Sequence, residues 1–274
     1  MAFDPGLIKG QVLDGSEIGR IFKCSVMGGM NRSLQTNTLV LVSNHVKSIY
    51  SDRWIDEIFH YTGMGQEGDQ SIDRTQNKTL AESRTNGVGV HLFEVYREQN
   101  YTYQGRVVLH SDPYIETQPD KNNRNRSVYV FPLKLISGTP ALIDIAEFER
   151  LNAIRAKKAS RLSDEEVNKK ASVAPKKPGK RNTNTTSFHR NEFVSENAKR
   201  RAKGICQLCN EPAPFNDSEG NPFLETHHIV WLAREGEDSI ANTVALCPNC
   251  HRRMHKLDRD EDKKLLLQKN LNLK

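Results

Sequence analysis

Cys206-Gln207-Leu208-Cys209, Leu224-Glu225-Thr226-His227-His228-Ile229 and Cys247-Pro248-Asn249-Cys250-His251-Arg252-Arg253-Met254-His255 decide how the C-terminal third of this chain folds. Two Cys-x-x-Cys knuckles are separated by residues 210–246, wider than a compact zinc ribbon, so a functional unit sits between them. Four thiolates converging on one ion make a closed tetrahedral Zn2+ site with no open coordination position. Cys206, Cys209, Cys247 and Cys250 are therefore read as a structural zinc site that staples a module too small to hold itself together well. That leaves the histidines for other chemistry. Neighbouring side chains on a strand point to opposite faces, so His227 and His228 can serve different purposes. His251 and His255 are spaced i, i+4 and share one side of a helix.

Together with Asn242 and Ala245-Leu246, these motifs resemble the HNH (ββα-metal) nuclease family, in its McrA-like branch with a four-cysteine zinc site. The resemblance covers about 65 residues and implies a β-hairpin carrying the histidine pair, a loop, and a helix carrying the last histidines. It further implies that His227 and His251 bind the catalytic metal and that His228 is the general base. His255 is read either as a third ligand or as a contact to the leaving phosphate. Asn242 matches the family asparagine that braces the loop and orients the base. Glu225 stands one strand repeat before His227 and is expected to support that ligand. The chemistry suits the residue types, because phosphodiester hydrolysis needs a deprotonated water and a cation for the developing charge. A neutral imidazole can accept that proton near neutral pH. Nitrogen ligands with open positions suit Ni2+, Co2+ or Mn2+, with Mg2+ also open.

Length and composition set the frame. The 274 residues suffice for two modest domains. Mean hydropathy is −0.67, and no apolar run approaches the roughly 20 residues of a membrane span. The start, Met1-Ala2-Phe3-Asp4-Pro5, reads as no secretory signal. Metal-spaced thiols plus the odd Cys24 fit a reducing cytoplasm. Net charge is +6 but uneven: residues 1–150 hold 16 Lys/Arg against 18 Asp/Glu, residues 151–274 hold 24 against 16. A basic C-terminal half is the footprint of a phosphate-backbone binder, though charge alone also serves solubility.

Upstream, the β-branched and aromatic runs at 38–42, 88–95, 101–109 and 128–133 predict strands of an antiparallel sheet or barrel with few helices. Residues 143–173 predict helix, with a capping box at Ser163-Asp164-Glu165-Glu166. Residues 174–186 have almost nothing to bury and predict a flexible basic linker. A further helix is expected over about 191–203, ended by Gly204. The expected organisation is a recognition domain at 1–148, a helical and basic linker at 149–187, and a nuclease domain at 188–274.

Phe59-His60-Tyr61-Thr62-Gly63-Met64-Gly65, with Gly68-Asp69-Gln70, Asn77-Lys78-Thr79-Leu80 and Val88-Gly89-Val90, resembles SRA (YDG) domains. These are curved β-barrels of the PUA-like group that flip 5-methylcytosine or 5-hydroxymethylcytosine out of duplex DNA. The fold class implied for the chain is α+β, an SRA/PUA-like barrel followed by a zinc-stapled HNH module. By that resemblance Tyr61 and Thr62 form the turn walling the base pocket, and Asp52 reads the cytosine edge. Tyr50 is the second aromatic, with Trp54 as another candidate. Stacking on both faces and a carboxylate at the amino group compensate for extrusion. Arg32, in the Gly28–Ser33 loop, is a candidate DNA contact or simply part of a turn. The loop Asn122–Arg126 faces phosphate or solvent. Lys176, Lys177, Lys180 and Arg181 of the linker, with Arg252, complete the expected DNA contacts. Cys24 is expected at a strand start as a small buried residue.

The reading that results is a modification-dependent DNA endonuclease acting on double-stranded DNA with modified cytosine, as a homodimer because one site cuts one strand. The alternatives left open are an HNH nuclease reading unmodified or phosphorothioate DNA, and a non-catalytic reader of modified DNA.

Overall fold

The computed structural model describes residues 3–174, 179, 181–184 and 191–271, and the chain divides into two compact units, Met1–Thr185 and Thr186–Lys274. Among the described residues no helix is long and apolar enough to cross a membrane.

The first unit contains β1 (Val12–Leu13), α1 (Gly15–Phe22), β2 (Met30–Ser33), β3 (Thr38–Asn44), β4 (Arg53–Ile55), β5 (Ile58–Thr62), α2 (Thr75–Ala81), β6 (Gly89–Arg97), β7 (Asn100–Leu109), β8 (Tyr114–Pro119), β9 (Asn125–Leu135), β10 (Ile143–Asp144), α3 (Ile145–Ala159), α4 (Asp164–Ser172) and β11 (Thr183–Asn184). Its nine-stranded sheet runs β2-β3-β6-β7-β9-β5-β4, with β1 on β7 and β8 on β9. The pairs are antiparallel except β3–β6, so the expected antiparallel sheet contains one parallel join. No ladder joins β2 to β4 among the described residues, so the sheet wraps its core without closing into a full barrel. One strand does most of the wrapping: β9 pairs with β8 through 125–130, β5 through 130–134 and β7 through 133–135.

Apolar residues run continuously in β3 because both of its faces are covered. Leu39 and Leu41 pack with Phe59, Leu92, Phe131 and Leu133. Val40 and Val42 pack on the other face with Ile18 and Phe22 of α1. That helix was not expected from the sequence. Asp14 caps it in a reciprocal box with Glu17, and Lys23 ends it in the left-handed region. Cys24 therefore follows a helix rather than opening a strand, and is half-buried.

The segment expected as linker behaves otherwise. Leu151 of α3 is buried against Ile143 and Tyr96, Arg150 donates to the Tyr96 carbonyl, and Arg155 donates to that of His45. Ser163 and Glu166 cap α4 as expected, and that helix buries nothing. Residues 183–184 pair in parallel with β10. Arg181, expected as a DNA contact from the linker, has its side chain buried, with Nη2 2.9 Å from Glu94 Oε2 and its guanidinium over the rings of Trp54 and Tyr96. A carboxylate buried in the sheet outcompetes water for that cation. Lys176, Lys177 and Lys180 lie outside the described residues.

The second unit contains α5 (Glu192–Ala202), β12 (Glu225–His228), β13 (Thr243–Leu246), α6 (Pro248–Leu257) and α7 (Asp260–Leu271), with short 3-10 turns at Leu232–Arg234 and Ile240–Asn242. The hairpin β12–β13 and helix α6 give the expected ββα arrangement, with His227 opposite Val244 and His228 opposite Thr243. The core joins Ala198 and Ala202 of α5 to Leu224, Ile229, Leu246 and Met254, with Leu266 of α7 closing it.

Candidate metal centre and recognition site

Cys206, Cys209, Cys247 and Cys250 bring their Sγ atoms within 4.8 Å of one another, with Cys209 and Cys247 3.9 Å apart. Bonds of about 2.3 Å in a tetrahedron place sulfurs roughly 3.8 Å apart, so the donor set fits one Zn2+. The thiols also need a cation if all are to ionise. Burial opposes ionisation at Cys206, yet backbone N–H groups of Cys209, Cys247 and Leu208 outweigh it and bring this thiol down to about 7. Burial and the neighbouring sulfurs push Cys250 up.

The second cluster is histidine. His227, His251 and His255 offer one nitrogen each, all within 4.8 Å of one another. The Nε2 atoms of His251 and His255 are 3.1 Å apart. Two nitrogens at right angles on one ion with bonds of about 2.1 Å stand roughly 3.0 Å apart, so this set fits a shared cation. The geometry groups His255 with His227 and His251. His228 belongs to the opposite face of β12 and stays out of the cluster, as strand alternation requires.

Each ring is held in place. Glu225, expected beside His227, has Oε2 2.7 Å from His251 Nδ1, because the helix α6 passes across the hairpin and brings His251 to it. Turning Nδ1 to a carboxylate leaves Nε2 for a metal. Asn242 bridges the intervening loop: its Oδ1 accepts from Val230 N at 2.8 Å, and its Nδ2 donates to Glu237 O at 2.7 Å and Val230 O at 2.9 Å. Gly236 sits so close to the Val230 carbonyl that no Cβ fits there. The same loop delivers Asp238, whose Oδ1 lies 2.8 Å from His228 Nε2; nothing in the sequence pattern had singled this residue out. A cavity of about 230 Å3 opens here, lined by His227, His228, His251, His255 and Trp231. Arg252 is exposed on α6, on the helix that carries His251 and His255.

In the first unit Asp52 and Trp54 line one cavity, and Asp52 meets the Thr62 N–H. Asp52 accepts from Thr62 N and from Ser43 Oγ, each at 2.8 Å. Burial raises its pKa against those hydrogen bonds. It lines a cavity of about 280 Å3 with His45, Glu94, Tyr96 and Arg181. Tyr50 is half-buried and donates to the Gly65 carbonyl at 2.8 Å, with Arg126 over its ring. Trp54 and Tyr61 are both core residues, 3% and 2% exposed, and Trp54 also lines this cavity. Trp54 points its indole N–H at Glu94, and Tyr61 donates to the Gly29 carbonyl. Residues 59 and 61 share the inward face of β5, so a wall position for Tyr61 would cost core packing. Thr62 is buried too and contributes its backbone. Gly63 follows because a Cβ would meet Asn77 Oδ1 at 2.8 Å and Gln70 Oε1 at 2.9 Å, the side chains that clamp the turn. Of the two readings of Arg32, its bonds are those of the turn: it donates to the Ser33 and Thr38 carbonyls and to Asn37 Oδ1, bracing the β2–β3 hairpin.

Comparison with known proteins agrees with this division. A stretch of 68 residues, 25% of this chain, is 46% identical to the Type IV methyl-directed restriction enzyme EcoKMcrA of Escherichia coli (strain K12). The chain spans about a quarter of that relative's length, 24%. Among solved structures, the Type IV phosphorothioation-dependent restriction endonuclease ScoMcrA overlaps with a TM-score of 0.41 at 20% identity, over 97% of this chain and 63% of that one. The modification-dependent TagI restriction endonuclease gives 0.39 at 19%, over 93% and 80%. Residues 9–144 match the family described as ScoMcrA-like, SRA domain, and residues 206–257 match the HNH endonuclease family, so this chain carries an SRA domain ahead of an HNH endonuclease domain.

Proposed function

We propose that the chain is a modification-dependent DNA endonuclease whose SRA domain finds modified cytosine in duplex DNA and whose HNH domain cuts nearby. The observation that carries the proposal is the imidazole cluster of His227, His251 and His255 beside the separately held His228, in one cavity and in a chain with an SRA domain. These nitrogen donors suit a borderline ion such as Ni2+, Co2+ or Mn2+ better than Mg2+, and the cysteine site suits Zn2+. Bound there, a divalent ion supplies positive charge for the phosphorane and the leaving oxygen.

The chain's own groups do the rest. His228 takes the proton from a water as its oxygen attacks phosphorus. The P–O3′ bond breaks, leaving a 3′-hydroxyl and a 5′-phosphate. Glu225 holds the His251 ring, Asn242 holds the loop, and Arg252 is placed to meet phosphate. In the SRA domain the extruded cytosine meets the Asp52 carboxylate and the Thr62 backbone, with Tyr50 as its aromatic neighbour. One nuclease site cuts one strand, so a double-strand break needs two chains.

The test uses duplexes identical in sequence and carrying C, 5-methylcytosine, 5-hydroxymethylcytosine or a phosphorothioate, each with Mg2+, Mn2+, Co2+ and Ni2+. Cutting confined to the cytosine-modified duplexes is expected, with His228→Ala at least 100-fold slower but still binding DNA. Equal cutting of the unmodified duplex, or cutting of the phosphorothioate duplex alone, overturns the cytosine reading. Binding without cutting under every ion overturns the nuclease reading.

A further inference from the structure

The geometry points to Asp238 as the positioning residue that fixes the tautomer of His228, so that Nδ1 is the atom that takes the proton from water. This deepens the nuclease reading and rests on it. The hydrogen bonds of the Asn242 side chain run to Val230 and Glu237. The asparagine ties the residue two after the base to the residue just before Asp238, and so closes the loop into a frame. Within that frame Asp238 Oδ1 reaches His228 Nε2 at 2.8 Å. Asp238 Oδ2 accepts from the Asn191 N–H at 2.6 Å, ahead of helix α5, which keeps the carboxylate from turning away.

The chemistry follows from the imidazole. A neutral ring carries one N–H, and a carboxylate oxygen can only accept, so the proton sits on Nε2 and the lone pair on Nδ1. When Nδ1 takes the proton, the ring becomes a cation that the adjacent carboxylate stabilises, and Asp238 itself stays ionised. The His228 side chain is 7% exposed and that of Asp238 24%, so the pair is only partly screened by water. His228 lines the cavity shared with His227, His251 and His255, and its Nε2 is the nitrogen that meets Asp238. A carboxylate does for this base what Glu225 does for His251 on the other side of the hairpin.

Asp238→Asn separates positioning from mere bracing. It keeps the shape and an oxygen for the Asn191 N–H, but offers N–H to Nε2 and drives the ring to the Nδ1–H tautomer. The tautomer is read on the full chain with zinc at the cysteine site and no ion added for the histidine cluster, from long-range nitrogen–proton correlations of the histidine rings, with His228 identified by its loss in His228→Gln. The wild type should show His228 protonated on Nε2, and Asp238→Asn should show it on Nδ1. With metal and modified duplex, Asp238→Asn should lose on the order of 10²- to 10⁴-fold in kcat with KM unchanged. Asp238→Glu should recover at least ten-fold of that loss. An unchanged tautomer in Asp238→Asn, or a kcat within two-fold of wild type, overturns the assignment while leaving the nuclease reading intact. A wild type that never cuts overturns both.

Discussion

Replacing Arg181 by methionine removes a cation from the interior of the SRA domain and leaves Glu94 behind. Glu94 is fully buried, and it accepts from the Tyr96 hydroxyl at 2.7 Å, lies 2.9 Å from His45 Nε2 and meets the Trp54 indole N–H at 3.2 Å. Burial alone would raise its pKa, but Arg181 and these partners overcome it and hold the carboxyl below its usual value. Breaking a buried pair by removing one partner costs about 3–5 kcal/mol. Two features put this case near 3 kcal/mol: Glu94 keeps its other donors, and Arg181 Nε and Nη1 have no hydrogen-bond partner among the described residues, so the native pair is incompletely compensated. For a unit of this size, 3 kcal/mol corresponds to roughly 6–12 °C in Tm. The assay is thermal unfolding of the full chain, followed by near-ultraviolet circular dichroism and by fluorescence of a Trp231→Phe background in which Trp54 reports alone. Arg181→Met should lower the SRA transition by that amount, and Arg181→Met with Glu94→Gln should regain most of it, because the orphaned charge is gone. A single variant within 2 °C of its parent would refute the account and return residues 179–184 to a loose tether.

Further outcomes follow from the same geometry. Burial, with the Arg106 charge second, pushes buried His91 down to about 4 from 6.5, so the unfolded chain takes up a proton that the folded one refuses. Stability should fall by up to ~3 kcal/mol as pH drops from about 6.5 to about 4, and His91→Gln should flatten that slope in urea titrations. Cys209→Ser should abolish stoichiometric zinc in a chelator-release assay and unfold the HNH domain while the SRA transition persists. His255→Ala should weaken Ni2+ binding at least ten-fold by calorimetry, whereas Arg252→Ala should leave it unchanged. Asp52→Asn should erase the preference for modified duplex in gel-shift competition, and a retained preference would move the pocket elsewhere.

The nuclease half was legible because its chemistry is encoded at short range. Spacing within a knuckle, adjacency on a strand and i, i+4 on a helix translate directly into which side chains converge, and the cysteine and histidine clusters formed where those spacings put them. The SRA half was legible as β-branched and aromatic runs, which announced β3, β6, β7 and β9, and as motifs between 59 and 90 that resemble SRA domains, but the short strands β2, β4 and β5 and the helix α1 carry too few residues to show a period.

Tertiary structure decided what depends on distant chain segments meeting. Whether an aromatic walls a pocket or fills a core is set by which face of β5 turns inward, and for Tyr61 that was the core. Whether a basic residue meets solvent or a carboxylate is set by what lies beneath it, and beneath Arg181 lies Glu94, 87 positions earlier in the chain. Asp238 reaches His228 because Asn242 folds the loop between them, and Glu225 serves His251 because a helix crosses the hairpin. Local spacing determines ligands, since covalent geometry carries them to one place. Partners that are remote in the chain are chosen by packing, which no short window of sequence contains.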